Sequence, residues 1–375
     1  MLKNMKLGTK LIGGFVLVAA IVLAVGFFGW NGAQQLQGHI EEIGEVRLPS
    51  VESLQVVKIE ANAMQTVIQA MLNPRISEEN KAQQYENINA LRERYEAAWE
   101  TYVPLPQTTE EARLWNEFVA AWNAWKEVNN RFVTMAQEID ATDILNPDAL
   151  ESRLVGFTRD HHVLMEDTLH LLVAGHTFEG GDDPTACAFG KWLADYETDN
   201  AEISALLTEV HDYHDPFHEA VGTIKSLVAD GDTETATQVF ESQMAPSAEG
   251  VFDVFNELES EAEHVVELYN SMNELAFGEV KTKQEAATSL LDQIVHLNDE
   301  IAEEAVGTAT AEGRNVQLIA LVGMVVGVIL ALLLGTLLTR AITKPIAKGV
   351  AFAQEIARGR LDIELDVNQK DEVGV

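Results

Sequence analysis

The chain has 375 residues, with 60 acids against 25 lysines and arginines, a formal net charge of −35 and a single cysteine. So acidic a surface argues against nucleic acid and anionic lipid as electrostatic partners, since both carry the same sign. A lone cysteine excludes an intramolecular disulfide.

Leu11–Trp30 is free of charge, and so is Val316–Thr339; each has about the twenty residues a helix needs to cross a bilayer. The first run exceeds the roughly 7–15-residue apolar region of a signal peptide and is followed by no clear small-x-small cleavage site, so it reads as an anchor that stays. Nothing charged interrupts the second run, which fits a buried core helix poorly. Lys3, Lys6 and Lys10 precede the first span, and Arg340, Lys344 and Lys348 follow the second. By the positive-inside rule both ends face the cytoplasm. The expectation is a two-pass inner (cell) membrane protein with a cytoplasmic N-terminus (1–10) and a periplasmic or extracellular domain (31–315). That domain holds 54 acids against 16 basic residues.

The outer segment reads as helix almost throughout, with apolar positions three and four apart and no sustained alternation. Val51, Leu54, Val57, Ala61, Met64, Ile68 and Met71 form one such stripe. Asn73-Pro74 ends it, and Ser77 with Glu78 and Glu79 starts a second helix that runs to about Tyr102. Thr108 caps a third, which carries Leu114, Phe118, Trp122, Trp125 and Phe132; helical spacing makes this aromatic stripe core packing rather than a ligand box. Residues 141–149 read as a connector. A last helix starts near Pro246 and continues to the second span. The fold class is all-α, a membrane-anchored helical bundle.

Ten histidines occur, seven of them between residues 161 and 218, and Cys187 falls in the same window. His214 and His218 are four apart and share one helix face. His161 sits near the start of another helical segment, from Asp160 to Gly175. Three imidazoles and a thiolate suit the borderline-soft preference of zinc. An oxidising compartment makes an unoccupied thiol a liability, which is a reason to ligate it. The competing reading is a solvated histidine face beside a cysteine that acts as a small hydrophobe.

The segment Cys187-Ala-Phe189-Gly190-Lys-Trp192, followed by His214-x-x-x-His218, resembles the chemoreceptor zinc-binding (CZB) domain over residues 150–245. The resemblance implies zinc as cofactor, with ligands His161, Cys187, His214 and His218 and with Asp160 beside His161. His162 and His211 are alternates, and Phe189, Gly190 and Trp192 pack beside the site. Three departures stand out: His162 directly follows His161, Tyr213 stands where the family often has proline with Pro216 between the paired histidines, and His211 lies one turn before His214.

Residues 31–149 resemble the four-helix-bundle sensor of methyl-accepting chemotaxis proteins, and 246–315 would be the helix returning to the membrane. After the second span, Arg340-Ala-Ile-Thr-Lys-Pro345-Ile, Gly359-Arg-Leu361 and Asp371-Glu372-Val-Gly374 resemble a HAMP linker over 340–375. The resemblances imply a homodimeric transmembrane chemoreceptor sensing a small periplasmic ligand, zinc or an oxidant. An output domain would follow residue 375 and reach a chemotaxis kinase and its adaptor. A sensor histidine kinase or diguanylate cyclase is the alternative. A zinc enzyme is the remote one, since four protein ligands leave catalytic zinc no open position. Small residues in the first span (Gly13, Gly14, Ala19, Ala20) would let two chains approach closely.

Overall fold

A computed structural model describes residues 5–362, 364–367, 369, 371 and 372. They are helical with no strand among the described residues. The chain divides into two compact units, Ser53–Ile294 and the flanking segments on either side of it.

In the flanking unit, α1 (Leu7–Glu41) carries the first apolar run and α11 (Lys281–Ala357) the second; both are long and apolar enough to cross a membrane. Large apolar side chains such as Phe15, Leu23 and Leu332 point outward, as they would toward lipid. Glycines let the two helices meet: a side chain at Gly14 would touch Leu338, and one at Gly327 would touch Ile21. Gly14, read from the sequence as part of a surface between chains, therefore faces the second span of its own chain. A wide turn of π type, Glu42–Arg47, separates α1 from α2 (Leu48–Met71). The buried Arg47 at its end donates to Glu42 at 2.7 Å and to Asn298 at 2.9 Å. At the other end, α11 runs unbroken through Pro345 and stops at Ala357, two residues before Gly359, whose φ of 90° is left-handed. Leu361 is exposed, Lys10 forms a buried ion pair with Asp371, and the Leu7 N–H donates to Glu372 at 2.8 Å. No second helix follows Gly359 among the described residues, and Gly374 lies outside them.

The unit Ser53–Ile294 holds two helical modules. In the first, α2, α3 (Glu78–Tyr102) and α4 (Thr109–Ala141) pack into a bundle. The stripe from Leu54 to Met71 is buried, while Val51 at its start is only half-buried. Ser77 caps α3 through the Asn80 N–H, and Thr108 with Glu111 forms a reciprocal capping box at α4. Trp99, Trp115, Phe118 and Trp122 interleave between α3 and α4 with ring centroids 4.5–6.1 Å apart. The fourth wall comes from far along the chain: α10 (Ala245–Leu275), a wide turn at Ala276–Val280, and the start of α11. There Arg131 reaches Glu279, Lys58 pairs with Asp292, and Gln284 donates to the Ala61 carbonyl.

Residues 147–244 are thus inserted between the third and fourth walls of the bundle. They form α5 (Pro147–Ala174), α6 (Ala188–Asp195), α7 (Ala201–Glu209), α8 (His211–Ala229), α9 (Thr233–Val239) and a wide turn at Phe240–Met244. Their core joins Leu171, Phe217, Val221, Ile224, Val239 and Met244 to Ala248 of α10, so α10 serves both modules.

Two sequence expectations need correction. The connector is shorter than 141–149: α4 ends at Ala141, and Pro147 already occupies the first turn of α5, capped by Asn146. Consequently His161 lies in the middle of a helix, not near its start.

Candidate metal centre

Two helices and the N-cap of a third bring the donor groups together. Fourteen residues into α5, its inward face presents His161, which is 3 % exposed. One face of α8 presents His214 and His218, four apart and both fully enclosed. Cys187 stands at the N-cap of α6, where its sulfur accepts the Gly190 N–H at 3.0 Å. Gly190 is required there because a Cβ would overlap the Pro184 carbonyl.

The donor atoms of His161, Cys187, His214 and His218 all lie within 4.8 Å of one another. Cys187 Sγ is 3.3 Å from His214 Nε2, which is 3.2 Å from His218 Nε2. Tetrahedral zinc with ordinary bond lengths spaces its ligand atoms about 3.3–3.8 Å apart, so the cluster needs little adjustment. His161 Nε2 is buried with no hydrogen-bond partner among the described residues. An orphaned lone pair in such a place is costly unless something binds it.

The remaining ring nitrogens are held from outside. His161 Nδ1 is 2.7 Å from the Phe157 carbonyl, and His218 Nδ1 is 2.7 Å from the Gly181 carbonyl. Each carbonyl keeps the proton on Nδ1 and turns the Nε2 lone pair inward. Gly181 delivers its carbonyl from a left-handed φ of 86°, a conformation that glycine adopts without strain. His214 Nδ1 lies 3.7 Å from the Asp215 carboxylate.

Phe189 is fully buried and packs edge-on against His214 at 5.0 Å, while Phe217 and Phe255 lie 5.4 and 5.7 Å from the His161 ring. This apolar box desolvates the imidazoles and holds them neutral. Burial lowers His161 to about 4; burial and the neighbouring His218 and His161 lower His214 to about 3; His218 falls as well. Burial also raises the Cys187 thiol, against the pull of the Gly190 and Phe189 N–H groups. A cation entering here therefore meets neutral lone pairs and must displace one thiol proton. The residues present fit a zinc ion.

The alternates stay outside. His162 is exposed and stacks on Phe252 at 4.2 Å, and His211 is exposed beside Asp215 at 3.5 Å. Asp160 pairs with Arg159 at 2.9 Å. Tyr213, where proline was expected, rests its ring against Gly250 of α10, and Pro216 is accommodated within α8. Trp192 is half-buried and packs on Phe157, Phe189 and Tyr196; Phe189, not Trp192, is the fully enclosed ring. Sequence reasoning missed Gly181 and Phe255. The pair Gly180-Gly181 was a visible signal of unusual backbone; Phe255 lies too far along the chain to be suspected.

Residues 4–147 match the family model of the four helix bundle sensory module for signal transduction. This stretch takes in α1 to α4, so the N-terminal part of the chain is similar to that sensory module. No curated protein and no solved structure matches the chain significantly.

Proposed function

We propose that the chain is the sensing and membrane part of a transmembrane chemoreceptor. In this reading the outer domain is periplasmic, the chain pairs with a second copy, and the HAMP-like segment passes the signal to an output domain acting on a chemotaxis kinase and its adaptor. The observation that carries the reading is the sensory-module match over residues 4–147, on a chain with two membrane-length helices. The lysines and arginines flanking both spans support the orientation.

His161, Cys187, His214 and His218 would hold one zinc ion, which when bound ties three helices together and keeps the thiol deprotonated. The convergence of the four donor atoms and the orphaned His161 Nε2 support this. Phe189, Phe217 and Phe255 keep water from the cluster. Four protein donors complete a tetrahedral set, which favours sensing or a structural tie over catalysis.

Two measurements test the proposal. Fused to the output part of a characterised chemoreceptor, the chain should control kinase activity in membranes, with a response that a point change in the outer domain alters. A fusion that leaves the kinase indifferent to every such change overturns the receptor reading. Elemental analysis of the purified chain should find near-equimolar zinc, most of it lost in Cys187→Ala. Full retention in that variant overturns the site.

A further inference from the structure

Beside the metal centre, the connector between α4 and α5 walls a cavity of about 320 Å³. The connector is tightly held. Asp143 adopts a left-handed φ of 56°, and its carboxylate accepts the Thr198 hydroxyl at 2.7 Å and the Asp199 N–H at 2.9 Å. Asn200 donates to the Thr142 carbonyl at 2.8 Å. The cavity is therefore a built feature, with walls fixed from both sides.

Its lining combines three chemistries. Ile144 and Leu150 are buried and supply an apolar floor. Trp192 and Tyr196, half-buried with ring centroids 4.4 Å apart, supply an aromatic wall. Arg153 supplies the charge, and it makes no hydrogen bond or ion pair with another described residue. An unpaired guanidinium is notable in a domain so rich in carboxylates. The one carboxylate in the lining, Asp143, is already engaged by Thr198 and Asp199.

We propose that this cavity binds a small organic carboxylate with a flat apolar body, its carboxylate on Arg153 and its body against Trp192 and Tyr196. A planar guanidinium fork matches a carboxylate in two parallel hydrogen bonds. Aromatic faces accept a flat apolar group by offset or edge contact. The volume lies at the lower end of the roughly 300–1,000 Å³ range of ligand sites, which limits the ligand to about one ring. Trp192 stands on α6, the helix that Cys187 caps, so a ligand held there would press on the element that positions the thiol. That consequence deepens the sensor reading and rests on it; the binding itself does not.

The test titrates the full chain, in detergent and stripped with a chelator, with benzoate, benzyl alcohol and benzylamine, followed by calorimetry and melting temperature. Benzoate should bind saturably and better than its neutral and cationic counterparts. Arg153→Met should weaken it by about tenfold or more, the loss expected for a charge-assisted pair, and Arg153→Lys should weaken it less. Because Arg153 is exposed, both variants should melt as the parent does. The proposal is overturned if benzoate fails to saturate by about 10 mM, if benzylamine binds as well, or if Arg153→Met binds benzoate unchanged. An indifferent kinase fusion would remove the sensor reading and leave benzoate binding in place. Absent benzoate binding would remove only this site.

Discussion

In the bundle, α3 and α4 meet through Trp99, Trp115, Phe118 and Trp122, a column of rings with no group that titrates. In the inserted module, the centre is three imidazoles and a thiol whose donor atoms lie within 4.8 Å of one another. The bundle gains its centre by excluding water from carbon. The insertion has a centre that is favourable only when neutral or when filled by a cation. Two modules of one compact unit should therefore respond to different variables, the first to side-chain volume and the second to protons and metal.

The comparison breaks most readily at Phe118, which is fully buried. Phe118→Ala should cost about 3–5 kcal/mol in denaturant unfolding, with zinc content per folded chain unchanged; zinc lost in parallel would mean that the modules are not separable. Acid gives the reverse test. His161 and His214 are held near 4 and 3 when folded against an ordinary value of 6.5, so the unfolded chain binds more protons between these values. Their contribution is complete above pH about 6.5 and is lost as pH falls through 4 and then 3, with His161 alone accounting for about 3 kcal/mol in metal-free protein. Thermal melts across that window should show the insertion weakening while tryptophan signals of the bundle persist.

Removing zinc by chelation should lower stability by about 3 kcal/mol when the parent is measured at a hundredfold excess over its dissociation constant, and Cys187→Ala should be insensitive to the chelator. Trp192→Ala, at a half-buried site, should cost about 1–2 kcal/mol and leave zinc bound. The smallest effects belong to histidines outside the cluster: His162→Ala, His39→Ala and His296→Ala should change zinc stoichiometry by nothing that elemental analysis can detect.

Much of the fold was legible because its signals are local. Ser77 and the Thr108–Glu111 pair mark helix starts through hydrogen bonds closed within three residues, and the apolar stripe of α2 follows from helix geometry alone. His214 and His218 were legible for the same reason. The choice between His161 and His162 was not. Adjacent residues stand about 100° apart around a helix, and only the positions of Phe217 and Phe255 decide which ring turns inward. The misplaced start of α5 has another cause: Asn146-Pro147 reads equally as a helix cap with its first residue and as a loop. The insertion itself escaped notice because nothing local says that the fourth wall of a bundle arrives more than a hundred residues after the third.

That delay bears on how the chain folds. If α4 were joined directly to the fourth wall by a loop of about five residues, closing the bundle would cost little chain entropy. Spreading the same closure over roughly 120 residues raises the cost by about 3 kcal/mol while the intervening chain is disordered. The penalty disappears once the insertion and the N-terminal part of α10 have folded and brought Leu145 beside Tyr269, whose hydroxyl donates to the Leu145 carbonyl at 3.3 Å in the native state. Folding of the inserted module should thus precede closure of the bundle, so that a slow step in one becomes a slow step in the other.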